Sequence, residues 1–326
     1  MISVRIIGAG PAGTAAALAA LSAGARVIVY EQSGFPRHKV CGEFLSPEIA
    51  PILEQLGATA AFRERRPARV ERVTLHFGKA AKRWRLSEPG FGLSRYALDD
   101  LLLQHALARG TELIQGRAEP DNQPTVVAHG RKQAASGTRL FGFKAHFQGP
   151  CDDEVSLFFF AGCYAGVSPV ENGATNVCGV APEDVLQTCG FDVDALLERS
   201  EMLRERVRPL SRSTNWLFSG PLVFRENFSG LTEPHLYLAG DALGFVDPFT
   251  GSGVLAALLT GRLAGTAAAR GLSSADHMRE CRGKLYFQYQ LAALFRRAVA
   301  TGLADRLVPL VPGRLLFWVT RPKVSV

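Results

Sequence analysis

The chain has 326 residues, of which 47% are hydrophobic and 21% are charged, and its formal net charge is +7. That length suits one large domain or two interleaved ones, and the composition excludes an intrinsically disordered chain. No apolar run reaches the ~20 residues that span a bilayer. The first residues read as a strand and not as a signal peptide, so we expect a cytoplasmic protein.

Basic residues and cysteines narrow the possible ligands. Two basic clusters, at residues 63–72 and 78–85, fit either a solvated face or attraction of an anionic cofactor, an anionic substrate or an acidic carrier protein. No helix-turn-helix, finger or RNP pattern accompanies them, so nucleic-acid binding is not expected. The cysteines form no CxxC pair and have no companion histidines at metal-ligand spacing. Reduced thiols and no metal site are therefore predicted for Cys41, Cys151, Cys163, Cys178, Cys189 and Cys281.

A phosphate-binding turn is predicted at the N-terminus. Residues 3–7 form a short run rich in β-branched side chains, and the sequence GAGPAG and an alanine-rich helical segment follow. In this pattern Gly8 permits a sharp turn, Gly10 lets the backbone approach a pyrophosphate, and Gly13 allows the helix to pack closely on the strand. The helix N-terminus, which includes Ala12, offers free amide groups to the anion.

The second predicted strand ends in an acidic residue. Residues 26–30 are mostly apolar, and Glu31 and Gln32 follow them directly. Glu31 lies about 20 residues after Gly8, where a carboxylate can accept the ribose hydroxyls of an adenosine. The same charge would repel a 2′-phosphate, so FAD or NAD fits better than NADP. Glu31 and Gln32 join the predicted cofactor-binding set.

A second strand-to-helix junction lies late in the chain. Residues 236–239 form an apolar strand, Gly240 and Asp241 follow at once, and a glycine-rich turn at 251–253 opens a long helical run. An NAD site does not need this second junction. FAD does, because its ribityl chain and isoalloxazine ring extend far beyond the first turn. The sequence therefore predicts one extended FAD molecule held at both ends.

The pairing of GAGPAG with GDALGFVDPFTGSGV resembles the FAD-dependent oxidoreductases of the p-hydroxybenzoate hydroxylase fold, in particular the geranylgeranyl reductase and flavin halogenase branch. The resemblance implies an α/β fold in which a Rossmann-like FAD-binding domain is interleaved with a β-sheet substrate domain and followed by a helical C-terminus. Strands of the substrate domain are expected at 142–147, 155–161 and 163–180. The implied boundaries are 1–62, 92–137 and 232–272 for FAD binding, 63–91 and 138–231 for the substrate domain, and 273–326 for the C-terminal helices.

The resemblance also implies roles around the late junction. Asp241, next to Gly240, would hydrogen-bond the ribityl or pyrophosphate part of FAD. Asp247 and Pro248 would shape the wall near the isoalloxazine ring, which makes both of them catalytic candidates and Pro248 a cofactor contact as well. The helix that follows would point its N-terminus at the ring, where negative charge accumulates on reduction. Its amides would come from Gly251, Ser252 and Gly253.

Two further segments resemble this family. In FPRHKVCGE, Arg37 is expected to contact the cofactor, and Cys41 and Gly42 are expected to lie beside the flavin. Cys41 is either a buried structural cysteine or a group that positions substrate or delivers a proton, and we keep it as a catalytic candidate. In SRYALDDLL, Arg95 matches an arginine that reaches the FAD, the alternative being a surface residue at a helix terminus.

The sequence departs from the family pattern in two places. His129 and Gly130 stand where Asp-Gly is expected, which puts direct reduction by NAD(P)H in doubt and makes a partner flavin reductase the alternative electron source. His129 itself is expected to be a turn residue. The counterpart of the halogenase WxWxIP signature, at residues 164–169, contains no tryptophan, so halogenation is disfavoured.

The C-terminal region is expected to be helical because apolar residues recur at helical spacing, among them Phe287 and Phe295. Its apolar end, at 307–319, fits three roles. It could roof an apolar substrate tunnel, form plain core, or rest on a membrane surface. We therefore expect at most peripheral membrane contact.

Three functions fit these features. The first is a monooxygenase-like reaction, in which reduced FAD forms a C4a-hydroperoxide with oxygen and hydroxylates a hydrophobic aromatic or polyketide-type substrate, free or carrier-bound. The second is flavin-dependent reduction of isoprenoid or other alkene double bonds, favoured by the CGE segment. The third is a flavin- or lipid-binding escort without turnover, which the altered His129 region leaves open.

Overall fold

The computed structural model describes residues 2–78, 80–131, 139–222, 224, 233–245, 250–300 and 313, with side chains described as far as residue 297 within the last helix. The described strands are β1 Ser3–Ile7, β2 Arg26–Glu31, β3 Phe44–Leu45, β4 Ala68–Phe77, β5 Ala80–Gly92, β6 Glu112–Gln115, β7 Thr125–Val127, β8 Leu140–Gln148, β9 Glu154–Phe160, β10 Cys163–Pro169, β11 Thr175–Pro182, β12 Ser211–Arg212, β13 Leu217–Leu222 and β14 Leu236–Leu238. The described helices are α1 Pro11–Ser22, α2 Ile49–Gln55, α3 Thr59–Glu64, α4 Arg95–Ala108, α5 Glu183–Gln187, α6 Val193–Leu197, α7 Glu201–Val207, α8 Gly253–Arg270 and α9 Ser274–Ala300.

The first sheet is parallel and has the strand order β14-β7-β1-β2-β6 among the described strands. Its central strand, β1, buries Val4 and Ile6 completely, as expected for a parallel sheet covered on both faces. Helix α1 connects β1 to β2 and gives the βαβ unit that the N-terminal sequence predicts. The carboxyl ends of β1 and β14 therefore lie at the same edge of the sheet, two strands apart.

Helices α1 and α8 pack against each other at unusually short range. The alanine-rich α1 is buried along most of its length. A Cβ atom at Gly261 would overlap the carbonyl oxygen of Ala12, and one at Gly265 would overlap that of Ala16. Because the two backbones touch through these glycines, the helix that follows the late junction is held directly against the helix that follows the first.

The second sheet is mixed, with the order β12-β8-β11-β10-β9-β4-β5-β3, and β13 also pairs with β8. Only the β4–β9 pair is parallel among the described pairings. One face carries Phe143, Ala145 and Phe147 of β8, which pack with buried side chains of α5, α6 and α7. The opposite face carries Lys144 and His146 and is turned toward the residues around Cys41.

The predicted fold class is confirmed. The expected substrate-domain segments lie in β8 to β11, and the chain passes between the two sheets several times. Strand β3 pairs with β5 of the second sheet, although it lies inside the segment 1–62 assigned to FAD binding. The domain boundaries stay a prediction. The apolar end at 307–319 lies outside the described residues except for Gly313, which packs against Trp84.

Within the described ranges, no helix combines the length and the apolar character that a bilayer crossing requires.

Candidate active site

The first glycine turn leaves open space beside the N-terminus of α1. Gly8 has a φ of +103°, and a Cβ atom there would lie 2.5 Å from the carbonyl oxygen of Ala128. A Cβ atom at Gly13 would overlap the carbonyl oxygen of Gly8, so this glycine sets the contact between helix and strand. Gly10 has nothing within 4 Å of its Cβ position. The turn therefore combines two packing glycines with one that borders an empty space.

The late junction lies against this turn. Gly240 has a φ of +59°, and its Cβ position is 2.8 Å from Cβ of Ala12 in the first turn of α1. The Gly240 amide donates a hydrogen bond to Oγ1 of Thr260 in α8, at 2.9 Å. Burial raises the pKa of the neighbouring Asp241, and Arg131 and Arg95 oppose that shift. The structure thus brings the two sequence-distant turns into contact, as an extended dinucleotide requires.

Glu31, the last residue of β2, accepts several hydrogen bonds from neighbouring residues. It accepts from the amides of Ala9 at 3.0 Å and Ser33 at 2.8 Å, and its two oxygens accept from the guanidinium of Arg37 at 3.1 and 3.3 Å. Burial alone would raise the pKa of Glu31, but these donors hold it below its ordinary value. The carboxylate is therefore ionised at the end of β2, where a ribose-binding group is predicted.

Arg37 and Gln32 differ in how many of their polar atoms already have a hydrogen-bond partner. Nε of Arg37 is buried and has no hydrogen-bond partner in the described part of the chain, so one donor remains for a bound group. Gln32 is exposed, and its side-chain oxygen accepts from Nε of Arg117 at 2.7 Å. The predicted cofactor contacts of both residues stay predictions, and Arg37 has the better geometry for one.

Arg95 lies at the start of α4 and faces the late junction. Its guanidinium forms two hydrogen bonds of 2.6 Å with Asp99, whose side chain is fully buried. The charge of Arg95 opposes the rise in the pKa of Asp241 that burial causes. The exposed fraction of the Arg95 side chain is 15%, which favours a contact inside the site over a surface position, and its FAD contact stays a prediction.

The N-terminus of α8 forms the other end of the candidate cofactor site. Gly251 has a φ of +63°, and Gly253 has nothing within 4 Å of its Cβ position. The hydroxyl groups of Thr250 and Ser252 are hydrogen-bonded to each other at 2.8 Å. The helix therefore starts beside an open space, as α1 does at Gly10. Asp247 and Pro248 lie outside the described residues, so their predicted roles stay predictions.

A pocket lies between these loops and the second sheet. It encloses about 1160 Å³ of empty space, counting its open mouth. Cys41, Gly42, Thr250 and Gly251 form one side, and Arg131 and Ser219 contribute polar groups. The other side comes from one face of the second sheet and from α9, and its apolar members are Phe44, Val73, Leu75, Trp84, Val155, Leu157, Phe159, Tyr164, Val180, Leu222 and Phe295.

Cys41 presents a protonated thiol to this pocket. Burial raises the pKa of the Cys41 thiol, and the charge of Arg95 only partly opposes the shift. Its sulfur accepts a hydrogen bond from the Glu43 amide at 3.4 Å, and its carbonyl oxygen accepts one from Nδ2 of Asn176 at 3.0 Å. Cys178 also lines the pocket, and burial raises the pKa of its thiol to about 12. All six cysteines are free thiols.

Sequence reasoning missed a buried ion cluster next to Cys41. The carboxylate of Glu43 is bonded to Nζ of Lys144 and, at 2.6 Å, to Nε2 of His146. Burial would raise the pKa of Glu43, but His146 and Lys144 hold it below its ordinary value. The available signal was a lysine and a histidine two residues apart in the apolar run GFKAHF, which puts both on one face of a strand.

Arg131 is the second residue that sequence reasoning missed. It lines the pocket, bonds to the hydroxyl of Ser219, and lies 5.0 Å from the ring centroid of Phe245. It follows His129 and Gly130, whose departure from the family pattern drew attention to this loop. His129 is exposed in a bend and contacts the Gly130 carbonyl through Nδ1, which is consistent with a turn residue.

The residues present fit an FAD molecule. Two helix N-termini with uncrowded glycines, Gly10 and Gly253, border open space at the two ends of the site. Glu31 and Arg37 lie at one end, and the pocket of Cys41 lies at the other. Within the described chain, the groups that would hold the cofactor are the α1 turn, Glu31, Arg37, the Cys41–Gly42 loop, Arg95, Asp241 and the start of α8.

Comparison with known proteins agrees with this geometry. A family model for the FAD binding domain matches residues 1–150. The menaquinone reductase of Mycobacterium tuberculosis is 26% identical over 305 residues, covering 80% of this chain and 75% of that protein. The flavin-dependent brominase Bmp2 superposes with a TM-score of 0.78 at 20% identity, covering 97% of this chain and 92% of its own. PqsL of P. aeruginosa, solved with 2-aminobenzoylacetate, superposes with a TM-score of 0.73 at 17% identity, covering 97% of this chain and 98% of its own.

The family match and the shared fold define the class: residues 1–150 match an FAD binding domain, and the chain has the fold of flavin-dependent enzymes such as the brominase Bmp2. Its fold is the one that the sequence motifs predict, and flavin halogenases are among its structural neighbours. The predicted cofactor, FAD, is confirmed, and the electron source stays a prediction. The individual FAD contacts also stay predictions.

Proposed function

We propose that the protein is a monooxygenase-like flavoenzyme that hydroxylates a hydrophobic aromatic or polyketide-type molecule, free or carrier-bound. The observation that carries the proposal is the apolar, aromatic pocket between the Cys41–Gly42 loop and the second sheet. Bound, reduced FAD supplies the chemistry, since it activates oxygen for transfer of one oxygen atom to an electron-rich ring. The chain's own residues bind the substrate, orient it and exclude water.

The pocket walls suit a flat, uncharged substrate. Phe159 stacks on Phe77 with ring centroids 4.7 Å apart. It also forms a T-shaped pair with Phe295 of α9, with ring centroids 5.8 Å apart. Rings fixed in this way offer offset and edge-to-face contacts to an aromatic ligand. Each Å² of apolar surface removed from water contributes about 25 cal/mol, so an extended apolar ligand gains most of its binding free energy here. The same walls would exclude water from the site and so suppress side reactions.

Polar groups are few in the pocket, and they suit an oxygen-bearing substrate. Arg131, Ser168 and Ser219 line it together with Tyr164. A cation and hydroxyl groups at the rim of an apolar pocket can orient a phenol or a carbonyl by hydrogen bonding. We propose that NAD(P)H or a partner flavin reductase supplies electrons, and that an acidic carrier or reductase would approach the basic surface.

Reduction of a carbon–carbon double bond is the second candidate, and Cys41 favours it. A protonated thiol beside the flavin can donate the proton that must join one carbon while a hydride joins the other. The relative that covers 80% of this chain is named menaquinone reductase. An apolar isoprenoid chain would fit the pocket walls as well as an aromatic ring does. The escort hypothesis predicts binding without turnover.

The mass of the product distinguishes the two reactions. The FAD-loaded protein is reduced anaerobically and divided between a hydrophobic alkylphenol plus oxygen and menaquinone without oxygen. Hydroxylation gives a product one oxygen atom heavier. Any quinol formed from menaquinone is reoxidised in air before analysis, so a product that is still two hydrogen atoms heavier has a reduced side-chain double bond. Cys41→Ala is expected to slow the reduction roughly a hundredfold if the thiol is its acid. Binding of both substrates with neither product would overturn both proposals in favour of the escort.

A further inference from the structure

A buried ion cluster joins the loop that carries Cys41 to the second sheet. The side chains of Glu43 and Lys144 are 0% and 1% exposed, and that of His146 is 10% exposed. Lys144 and His146 lie two residues apart on β8, and both bond to the Glu43 carboxylate, one to each oxygen. His146 contacts the carboxylate through Nε2, so this nitrogen carries the proton. The cluster therefore joins the residue that precedes β3 to the middle of β8 through charge.

The same carboxylate also holds the start of α4. The amide of Arg95 donates to Oε1 of Glu43 at 2.6 Å. The preceding amide, of Ser94, donates to Oε2 of Glu171 at 2.7 Å, and Glu171 belongs to the loop between β10 and β11. Two carboxylates thus accept amides at the helix N-terminus, where negative charge is favourable. The Arg95 guanidinium pairs with Asp99 one turn further along the same helix.

The Cys41 loop is held from two sides. The Glu43 backbone has a φ of +55°, a left-handed conformation that a residue other than glycine adopts only when its surroundings enforce it. In this conformation the Glu43 amide points at the sulfur of Cys41. Asn176, which lies opposite His146 in the β8–β11 register, holds the Cys41 carbonyl. The ionic contacts of Glu43 on one side and the side-chain amide of Asn176 on the other fix the loop against the sheet.

We infer that Glu43 is a positioning residue: through Lys144, His146 and the Arg95 amide, it fixes the Cys41–Gly42 loop in place before FAD binds. The inference rests on the FAD site and not on which reaction that site supports. Glu43 touches neither the pocket nor the predicted path of the cofactor, so it acts through Cys41, Gly42 and Arg95. Without the carboxylate, both anchors of the loop and helix are lost together.

Glu43→Gln separates positioning from stability when it is combined with Lys144→Met. The single variant leaves a buried lysine without its carboxylate, which destabilises the fold. The double variant also removes that unpaired charge, so the thermal midpoint should recover. In both variants the ionic contacts of residue 43 with Lys144 and His146 are absent, and the neutral glutamine side chain retains at most uncharged hydrogen bonding. A merely structural role predicts that every property recovers together, whereas a positioning role predicts that only the midpoint does.

Two measurements report on whether the Cys41–Gly42 loop is held in place. In the cofactor-free protein, the rate at which a thiol reagent modifies Cys41 is followed by peptide mass, with the exposed Cys151 as internal reference. Separately, the Kd for FAD is measured by fluorescence. We expect Glu43→Gln and the double variant each to raise the rate of Cys41 modification roughly tenfold, relative to that of Cys151. The Kd for FAD should also rise roughly tenfold in both variants. Glu183→Gln breaks a surface ion pair in which Arg139 is exposed and Glu183 is partly buried; it is the matched control and should change neither quantity.

Wild-type values of the Cys41 rate and the Kd in the double variant would overturn the inference, whether or not the single variant folds. The thiol rate needs no cofactor, so it tests Glu43 even if the wild-type protein fails to bind FAD. That failure would count against the FAD site alone.

Discussion

The two sides of the active site are built from different parts of the polypeptide. The side formed by the first sheet consists mainly of backbone, with the glycine turns at the starts of α1 and α8 and a few charged side chains behind them. The side formed by the second sheet consists of side chains that project from one face of several strands. Backbone recognition suits a cofactor of fixed shape, whereas side chains define a pocket that can differ between related enzymes.

Glycines on the first side serve two purposes that the sequence does not separate. At Gly13, Gly261 and Gly265, a Cβ atom would collide with a neighbouring backbone oxygen. At Gly10 and Gly253, the Cβ position is open. Packing glycines are needed for folding itself, while the uncrowded ones leave room for a ligand. The first side therefore contains glycines of both kinds.

Gly13→Ala should produce the largest effect. Its methyl group would overlap the carbonyl oxygen of Gly8, and both atoms belong to a buried turn that cannot move without separating α1 from β1. We expect a loss of about 4 kcal/mol or more in the free energy of unfolding, measured by chemical denaturation of the cofactor-free protein. Gly34→Ala, with open space around it and no positive φ, is the control. Equal stability of the two variants would contradict the close packing.

Gly10→Ala should leave folding intact and weaken FAD binding. Its backbone has φ of −71° and ψ of −176°, which alanine adopts without strain, so the unfolding free energy should be unchanged or higher by about 0.4–1 kcal/mol. The methyl group would enter the space that the pyrophosphate is predicted to occupy. We expect the Kd for FAD to rise by about a hundredfold, equivalent to ~2.7 kcal/mol. An unchanged Kd would show that the phosphates do not approach Gly10.

The first side could be predicted from the sequence because its parts are local. Gly8, Gly13 and Glu31 belong to one βαβ unit, and the geometry of that unit follows from spacing. The GD turn required one additional step, since an FAD molecule long enough to reach it had to be assumed. The contact of Gly240 with Ala12 agrees with that assumption.

The second side could not be predicted in the same way. Glu43 meets Lys144 and His146 across about 100 residues, and the meeting depends on the register of β8 and on a left-handed backbone at Glu43. Hydrophobic alternation indicates a strand but does not say which loop faces it. Arg131 enters the pocket from a loop whose sequence signalled only a departure from a family motif. Long-range register is the missing information in each case.

Phe295→Ala should weaken substrate binding moderately. Phe295 of α9 lines the pocket and contacts Phe159, so its removal exposes apolar surface to water. A fully buried phenylalanine stabilises by about 1.5–3 kcal/mol, and a partly buried one by roughly half as much. The Kd for a hydrophobic alkylphenol, measured by fluorescence titration, should therefore rise about tenfold. Phe287→Ala, on the same helix and 59% exposed, should leave it unchanged. Equal effects would place the substrate elsewhere.

Asp241→Asn should change the stability of the cofactor-free protein least, and the change should depend on pH. Burial raises the pKa of Asp241 above its ordinary value near 3.8. Between the two pKa values the folded state binds more protons than the unfolded state, so stability falls as the pH rises through this window. The asparagine variant lacks this loss and should be the more stable protein at neutral pH. Its advantage, followed as the difference in Tm, should shrink on acidification and vanish below about pH 3.8. A difference in Tm that does not depend on pH would contradict a raised pKa for Asp241 and so a buried position for its carboxyl group beside Arg131 and Arg95.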